Sequence, residues 1–340
     1  MDYRPLGRSG IQVSRFGLGT MVLGAWGNTD RDECARIINT ALDAGINLVD
    51  TADVYGAGEN ETLVGAALQG RRDDVVLCTK FHHPLGDDDD PTHRGNSRRW
   101  IMTAVENSLR RLGVDHIDLY QVHRPDPTVA IGETVSALTD LVRAGKIRAW
   151  GTSTFPADEL VEAHWAAERI SAIGPHTEQP PYSILCRGIE RDVLPTAQRH
   201  GMGTIAWSPL SGGWLTGKYR RQAPAPSGSR MDTNPDHFDG ENVDKLDAVE
   251  ALSGIAEEAG ISLTHMALAF VTNHPALTVA LLGPRTEEQL ADLLGAHDVA
   301  LGSDVLDAID EVVPPGVTLN PADLGWTPPG LSIPARRRNP

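Results

Sequence analysis

Two hydrophobic periods alternate along the 340-residue chain. Short runs read as strands: FGLG (16–19), INLVD (46–50), VVLCTK (75–80), IDLYQVH (117–123), IRAWGTS (147–153), PHTEQ (175–179), GTIAWS (203–208) and LTVALLG (277–283). Between them lie longer stretches with helical spacing, such as RDECARIINTALDAG, NETLVGAALQG, SRRWIMTAVENSLRRLG, GETVSALTDLVRAG and RGIERDVLPTAQRHG. Several end in Gly, as a helix C-cap does. Repeated strand–helix units give a parallel sheet, and eight of them at this length predict a closed (β/α)8 TIM barrel rather than an open doubly wound sheet. A hairpin from Tyr3 to Val13, turning at GRSG, precedes the barrel as a cap, so residues 1–340 form one domain with a peripheral tail at 314–340.

Two stretches interrupt the alternation. GDDDDPTHRGNSR (86–98) reads as a solvated loop in preference to an acidic metal site. RRQAPAPSGSRMDTNPDHFDG (220–240) is rich in Pro, Gly and Ser and is long enough for a mobile lid or for disorder.

Barrel active sites are built at the C-terminal ends of the strands. There the chain places Asp50 with Tyr55 just beyond, Lys80, His123, Ser153, Gln179, Trp207 with Ser208, and Gly283 with Arg285. Taken singly, Asp50 reads equally as a turn N-cap, Tyr55 as a packed aromatic, Lys80 as a rim charge and His123 as a core histidine. Taken together they suit proton transfer to a carbonyl. A lysine beside a phenol is expected to draw the Tyr55 pKa from about 10 towards neutrality, a shift of about 4 kcal/mol. Asp50 would hold Lys80 charged, and His123 would donate a hydrogen bond to a carbonyl oxygen gaining negative charge.

Charge and cysteine content narrow the partners. The 46 acidic and 30 basic residues leave a net charge of −16, which repels phosphate backbones and anionic membrane surfaces. Cys34, Cys78 and Cys186 form no CxxC pair, which suits a reducing cytoplasm. MDYRPLGRSG lacks the pattern of a signal peptide, and no apolar run approaches the roughly 20 residues that span a bilayer.

Usual nicotinamide fingerprints are missing. GLGTMV has Val22 and GAGENE has Glu61 where the third glycine of a Rossmann turn belongs, and no Tyr-x-x-x-Lys pair occurs. DTADVYGAGENE, TK at Lys80 and LYQVHRPD at His123 nevertheless resemble, in order and spacing, the signature and catalytic tetrad of the aldo-keto reductases. The likeness extends over about residues 1–297, and GNSRRWIMTAVENSLRRLGVDHIDLYQVHRPD and AWSPLSGGWLTGKY resemble the bacterial general carbonyl reductases and the related potassium-channel β-subunits more than the mammalian steroid-type members.

That resemblance implies NADP(H) bound on the barrel rim. It implies Ser153 and Gln179 at the nicotinamide carboxamide, Trp207 against the ring, and Ser208, Leu210, Gly212, Lys218 and Arg230 along the phosphates. It assigns Gly283, Arg285, Gln289 and Asp292 to the adenosine end. A guanidinium at 285 suits a 2′-phosphate, so NADP is expected over NAD. Two positions depart from the family pattern: Thr154 stands where Asn commonly follows the serine, and Leu293 where related members carry Asn.

The expected reaction is reduction of an aldehyde or ketone, with Tyr55 supplying the proton. Trp26, His82, Trp100, Arg124 and Trp214 are candidates for the substrate pocket, although loop aromatics also serve as packing. Two other readings stay open. One is a redox-reading regulatory module that resembles channel β-subunits and turns over slowly. The other is a metal-dependent hydrolase using Asp50, His82, His83 and His123, for which no HxH pair exists and Lys80 would compete with the metal. Neither the physiological carbonyl nor the oligomeric state is specified by one chain.

Overall fold

The computed structural model describes residues 1–219, 226, 227, 229 and 242–332. Arg230 and most of the 220–240 stretch lie outside the described residues. Strands β1 (Tyr3–Pro5) and β2 (Gln12–Ser14) form the expected antiparallel hairpin, pairing Tyr3 with Ser14. The next eight, β3 (Phe16–Gly19), β4 (Leu48–Asp50), β5 (Val76–Phe81), β6 (Ile117–Val122), β7 (Ile147–Ser153), β8 (Thr177–Gln179), β9 (Gly203–Ala206) and β10 (Val279–Leu282), close into a barrel in the order β10-β3-β4-β5-β6-β7-β8-β9. Their pairings are all parallel, so the eight-unit barrel read from the sequence is the fold.

Period-two alternation divides the apolar residues between two cores. Leu48, Val76, Cys78, Leu119, Ala149, Ile205, Val279 and Leu281 form the barrel interior, and Leu6 and Val13 of the hairpin join them as a floor. Their strand neighbours Val49, Leu77, Tyr120, Trp150 and Leu282 belong to the larger cluster shared with the surrounding helices. Continuing each inward series towards the strand's C-terminal end reaches polar groups: Asp50 follows Leu48, Lys80 follows Cys78, Gln121 follows Leu119, and Ser153 follows Gly151. Register sets these side by side, with Asp50 paired to Cys78, Lys80 to Gln121, and Ser153 to Gln179. The interior is thus oily at the hairpin end and polar at the mouth.

The helices are α1 (Arg31–Asp43), α2 (Glu59–Ala67), α3 (Arg98–Leu112), α4 (Ile131–Arg143), α5 (Ala157–Arg169), α6 (Val193–His200) and those at Val243–Glu258, Leu263–Asn273, Glu287–Leu294 and Ser303–Val312. Asp30 accepts from the amides of Asp32 and Glu33, and Ser97 from that of Trp100, as N-caps do. The single helix expected over RGIERDVLPTAQRHG is instead split into a 3₁₀ turn at Gly188–Glu190 and α6. Asp192 leaves helical geometry there to cap Val193, so the chain restarts rather than continues.

Strand ends also shift. His123 lies one residue beyond β6, still anchored by its amide to the Phe81 carbonyl at 2.9 Å. Trp207 follows β9 on an isolated bridge to Pro181. Residues 314–325 run back across the mouth: the Leu319 amide donates to the Leu185 carbonyl, and Gly325 lies against the Trp207 indole and the Thr154 methyl. Asp323 fixes this segment through an ion pair with the buried Lys245 at 2.7 Å. Among the described residues no helix is long and apolar enough to cross a membrane.

Gly151 shows how tightly the interior is filled, since a Cβ there would stand 1.9 Å from Thr177 Oγ1 and 2.8 Å from the Thr177 carbonyl oxygen. We expect Gly151→Ala to lower unfolding free energy by about 1–3 kcal/mol. Denaturant titration checks this, and an unchanged midpoint would mean that β7 and β8 spread at no cost.

Candidate active site

At the mouth, β4 delivers Asp50 inward and the chain then turns tightly. Gly56, Ala57 and Gly58 adopt φ values of 56°, 53° and 95°, a left-handed run that reverses the chain and starts α2 at Glu59. Asn60 fixes this turn from below. Its amide oxygen accepts from Thr20 Oγ1 at 2.7 Å and Thr51 Oγ1 at 2.6 Å, and its nitrogen donates to the Thr20 and Leu23 carbonyls. Glu61, fully buried, accepts from Thr79 Oγ1 at 2.6 Å and Arg111 Nε at 2.7 Å, tying α2 to β5 and α3. The motif's Asn and Glu are thus structural; their work is to hold Tyr55 over the mouth.

Four expected groups come together there. Lys80 Nζ is 2.6 Å from Asp50 Oδ2, donates to the Thr51 carbonyl at 2.9 Å and lies 3.4 Å from Tyr55 Oη, with both ions buried. Asp50 Oδ1 accepts from Gln179 Nε2 at 2.9 Å and from Gln121 Nε2 at 3.4 Å. The His123 ring stands edge-on to Tyr55 with centroids 6.0 Å apart. Two buried opposite charges with their remaining valences hydrogen-bonded meet the condition under which a buried pair is tolerable.

Burial and charge compete at each group. Burial pulls the Lys80 pKa down, but Asp50 and Tyr55 outweigh it and leave it above the ordinary lysine value. For Tyr55 the balance goes the other way, which corrects the expectation of a phenol pKa near neutrality. Burial raises it, Lys80 lowers it only in part, Asp50 raises it again, and the result lies above the ordinary value. The reason is first that the phenol is buried, and then that Asp50 offsets part of the lysine's pull. His123 is driven well below its ordinary pKa by burial, then by Lys80 and Arg124. At neutral pH the site therefore presents a protonated phenol, a neutral imidazole and a closed ion pair.

Beside this group, Ser153 Oγ donates to the Gln179 carbonyl at 2.9 Å, and Thr154 holds a left-handed φ of 61°, unusual for a β-branched residue. Glu178, on the outward face of β8, pegs that turn: it accepts from Thr152 Oγ1 at 2.5 Å and from the Phe155 amide at 3.1 Å. Burial raises its pKa from 4.5 to about 7. After β9, Ser208, Ser211, Gly212 and Gly213 all have positive φ, so the loop is built from left-handed backbone. Lys218 Nζ lies close to Gly213, and Leu210 packs at the loop's start. Past β10, Gly283 faces open space, the Arg285 amide donates to Gln289 Oε1 at 2.8 Å, and Asp292 Oδ1 accepts from His265 Nε2 at 3.1 Å.

The substrate-pocket candidates separate. Trp26, 52 % exposed, stands 5.6 Å from the Tyr55 ring, and Arg124 lies half-buried beside Tyr55. His82 bonds Asn96 Oδ1 at 2.9 Å and borders a cavity of about 460 Å³ between the loops after β5 and β6. Trp214 is corrected: it is wholly buried, edge-on to Tyr219, because an indole gains more from the core than from the rim. Trp100 likewise packs in the outer core and stacks on His93 rather than near Tyr55. Sequence reading missed Gln121, although its inward parity with His123 was available as a signal, and Glu178, whose signal is a charge on an outward strand face. Among the described residues no three His, Cys, Asp or Glu side chains are grouped to hold a metal ion.

The family model described as "Aldo/keto reductase family" matches residues 15–314. "Uncharacterized oxidoreductase YrpG" of Bacillus subtilis is 39% identical across 96% of this chain and 100% of its own length. "Aldo-keto reductase YhdN" of the same organism is 38% identical over 86% and 88%. A "Putative voltage-gated potassium channel subunit beta" of Schizosaccharomyces pombe is 36% identical over 92% and 93%.

A carboxyl whose pKa is raised on folding keeps its proton in the folded chain and costs stability as pH rises from its ordinary value through the raised one. For Glu178 that window runs from 4.5 to about 7. We therefore expect Glu178→Gln to gain stability relative to the wild type between about pH 5 and pH 8. Paired thermal melts across that range read the difference, and a constant difference would place Glu178 outside the titrating groups.

Proposed function

The chain belongs to the Aldo/keto reductase family, and from that membership we propose that it reduces an aldehyde or ketone to an alcohol with NADPH. Membership itself supports an oxidoreductase that uses a nicotinamide cofactor. The observation that carries the finer reading is the buried Lys80–Asp50 pair, whose ammonium is 3.4 Å from the Tyr55 hydroxyl.

The rim residues fit an extended dinucleotide. Ser153 and Gln179 would hold a carboxamide, since Gln179 spends its amide nitrogen on Asp50 and keeps its oxygen as an acceptor. Trp207 offers a flat apolar face. Ser208, Leu210, Gly212 and Lys218 line a loop whose left-handed backbone and ammonium suit phosphate oxygens. Gly283, Arg285 and Gln289 lie at the start of the Glu287–Leu294 helix, whose N-terminus favours an anion, and Arg285 favours the 2′-phosphate of NADP. Asp292, turned towards His265, serves that end indirectly. When bound, the reduced nicotinamide supplies the hydride.

The protein's own part is the proton. His123, neutral, donates a hydrogen bond to the substrate oxygen as negative charge grows there. Tyr55 keeps its proton until that oxygen becomes basic, transfers it, and is left as a phenolate 3.4 Å from Lys80, which stabilises it. A raised phenol pKa in the resting site is consistent with this role, because the group must arrive protonated.

The partner is thus a small carbonyl compound, and three buried unbridged cysteines suit a reducing cytoplasm. The relatives named as channel β-subunits favour a second reading, a regulatory module that binds the cofactor and turns over slowly. Rapid multiple turnover separates the two.

We expect Tyr55→Phe to lower kcat by about 10²–10⁴-fold while leaving the NADPH Kd unchanged within a factor of about three. Retention of a substantial fraction of turnover removes Tyr55 as the donor. Tryptophan quenching should give tighter saturation by NADPH than by NADH, and Arg285→Leu should abolish the difference. Equal affinities in the wild type would remove the NADP preference and the role given to Arg285.

A further inference from the structure

Arg124 is a half-buried cation at the mouth that has no counter-ion among the described residues. Arg72, Arg111 and Arg187, similarly sunken, each grip a carboxylate: Asp118 at 2.7 Å, Glu61 at 2.7 Å and Asp310 at 2.6 Å. Among the described residues Arg124 makes one hydrogen bond, from Nη1 to the carbonyl of His123 at 2.6 Å, and no ion pair. Four of its five N–H groups therefore have no acceptor among the described residues.

Among the described residues no carboxylate is bonded to it; the nearest negative influence is Glu178, whose carboxyl is raised to about 7 and is therefore only partly ionised at neutral pH. Burial lowers the Arg124 pKa, with Tyr55 and Glu178 acting in the opposite sense. Tyr55 is protonated, and Glu178 points both oxygens at Thr152 and Phe155. His82, His83 and His123 all have lowered pKa values, with burial as the first cause and Arg124 a further one for each. Lys80 is cancelled by Asp50, so Arg124 is the net positive charge beside the reacting hydroxyl. A desolvated guanidinium without a partner is costly, which is why such groups are usually paired.

We propose that Arg124 binds a carboxylate of the substrate itself, so that the preferred substrates are aldehydes or ketones carrying a carboxylate group. The proposal rests on the carbonyl-reductase reading. A planar guanidinium matches a carboxylate in two-point geometry. A single positive charge in a chain of net charge −16 suits a monoanion better than a phosphate dianion. The exposed Trp26 indole, 5.6 Å from Tyr55, provides an apolar wall for the part of the substrate between the two ends.

The test uses the full-length protein with NADPH and the three formylbenzoate isomers, each compared with its neutral methyl ester. The ester keeps the aldehyde and the ring and replaces the charged carboxylate with a neutral group one methyl larger. We expect kcat/KM for at least one isomer to exceed that of its ester by about tenfold or more, falling as salt is added. Arg124→Gln should reduce this acid-to-ester ratio to near one, and Arg124→Lys should retain part of it. Because the ratio is internal to each variant, a general loss of activity does not imitate the effect. Reduction of the esters with no preference for any acid overturns the proposal and leaves the reductase reading intact, as does a preference that survives Arg124→Gln. Failure to reduce acids and esters alike defeats both.

Discussion

The contact on which the site depends is the buried ion pair between Lys80 and Asp50. A charged ammonium in the barrel interior is tolerable only because a carboxylate lies 2.6 Å away and the Thr51 carbonyl takes a second N–H. Once fixed, the pair organises its surroundings. The other Asp50 oxygen collects Gln179 and Gln121, so β4, β5, β6 and β8 are joined across the mouth by one hydrogen-bonded cluster. Tyr55 completes it from the turn after β4, where the phenol meets a cation whose field Asp50 offsets in part.

This balance explains why the resting site is electrically quiet. Burial keeps the phenol protonated, and Lys80, paired with Asp50, offsets that only in part; in the proposed reaction the same lysine would lie close enough to stabilise the phenolate. His123, starved of its charge by burial and by its cationic neighbours, keeps a hydrogen-bond donor without becoming an acid that competes with Tyr55. Arg124 is the exception to the neutrality, and an uncompensated charge at the edge of a neutral site points to something that arrives from outside.

The same layering that builds the barrel builds this chemistry. Each strand carries apolar side chains inwards at its start and polar ones at its end, and a one-residue slip would exchange Lys80 for Thr79 in the interior. Gly151 and the left-handed turn at Gly56, Ala57 and Gly58 are the steric allowances that let the strands and the Tyr55 loop approach closely. Glu61 and Asn60 do not touch the reacting groups; they keep the turn that does in place.

Eight apolar runs, their helices and the residues at their C-terminal ends are local or periodic properties, so the barrel and the meeting of Asp50, Tyr55, Lys80 and His123 were legible along the chain. Strand ends were misplaced by a few residues because the backbone leaves the ladder where a neighbour stops, which no single segment encodes. Trp100 and Trp214 could not be told from rim aromatics, since whether an indole is covered depends on helices far away in sequence. The sequence alone determined which groups face one mouth, because side-chain parity and strand order are written in its periods. Only the tertiary structure decided their protonation, the lone charge of Arg124 and the peg at Glu178, because these depend on burial and on distances between atoms that the chain brings together only when folded.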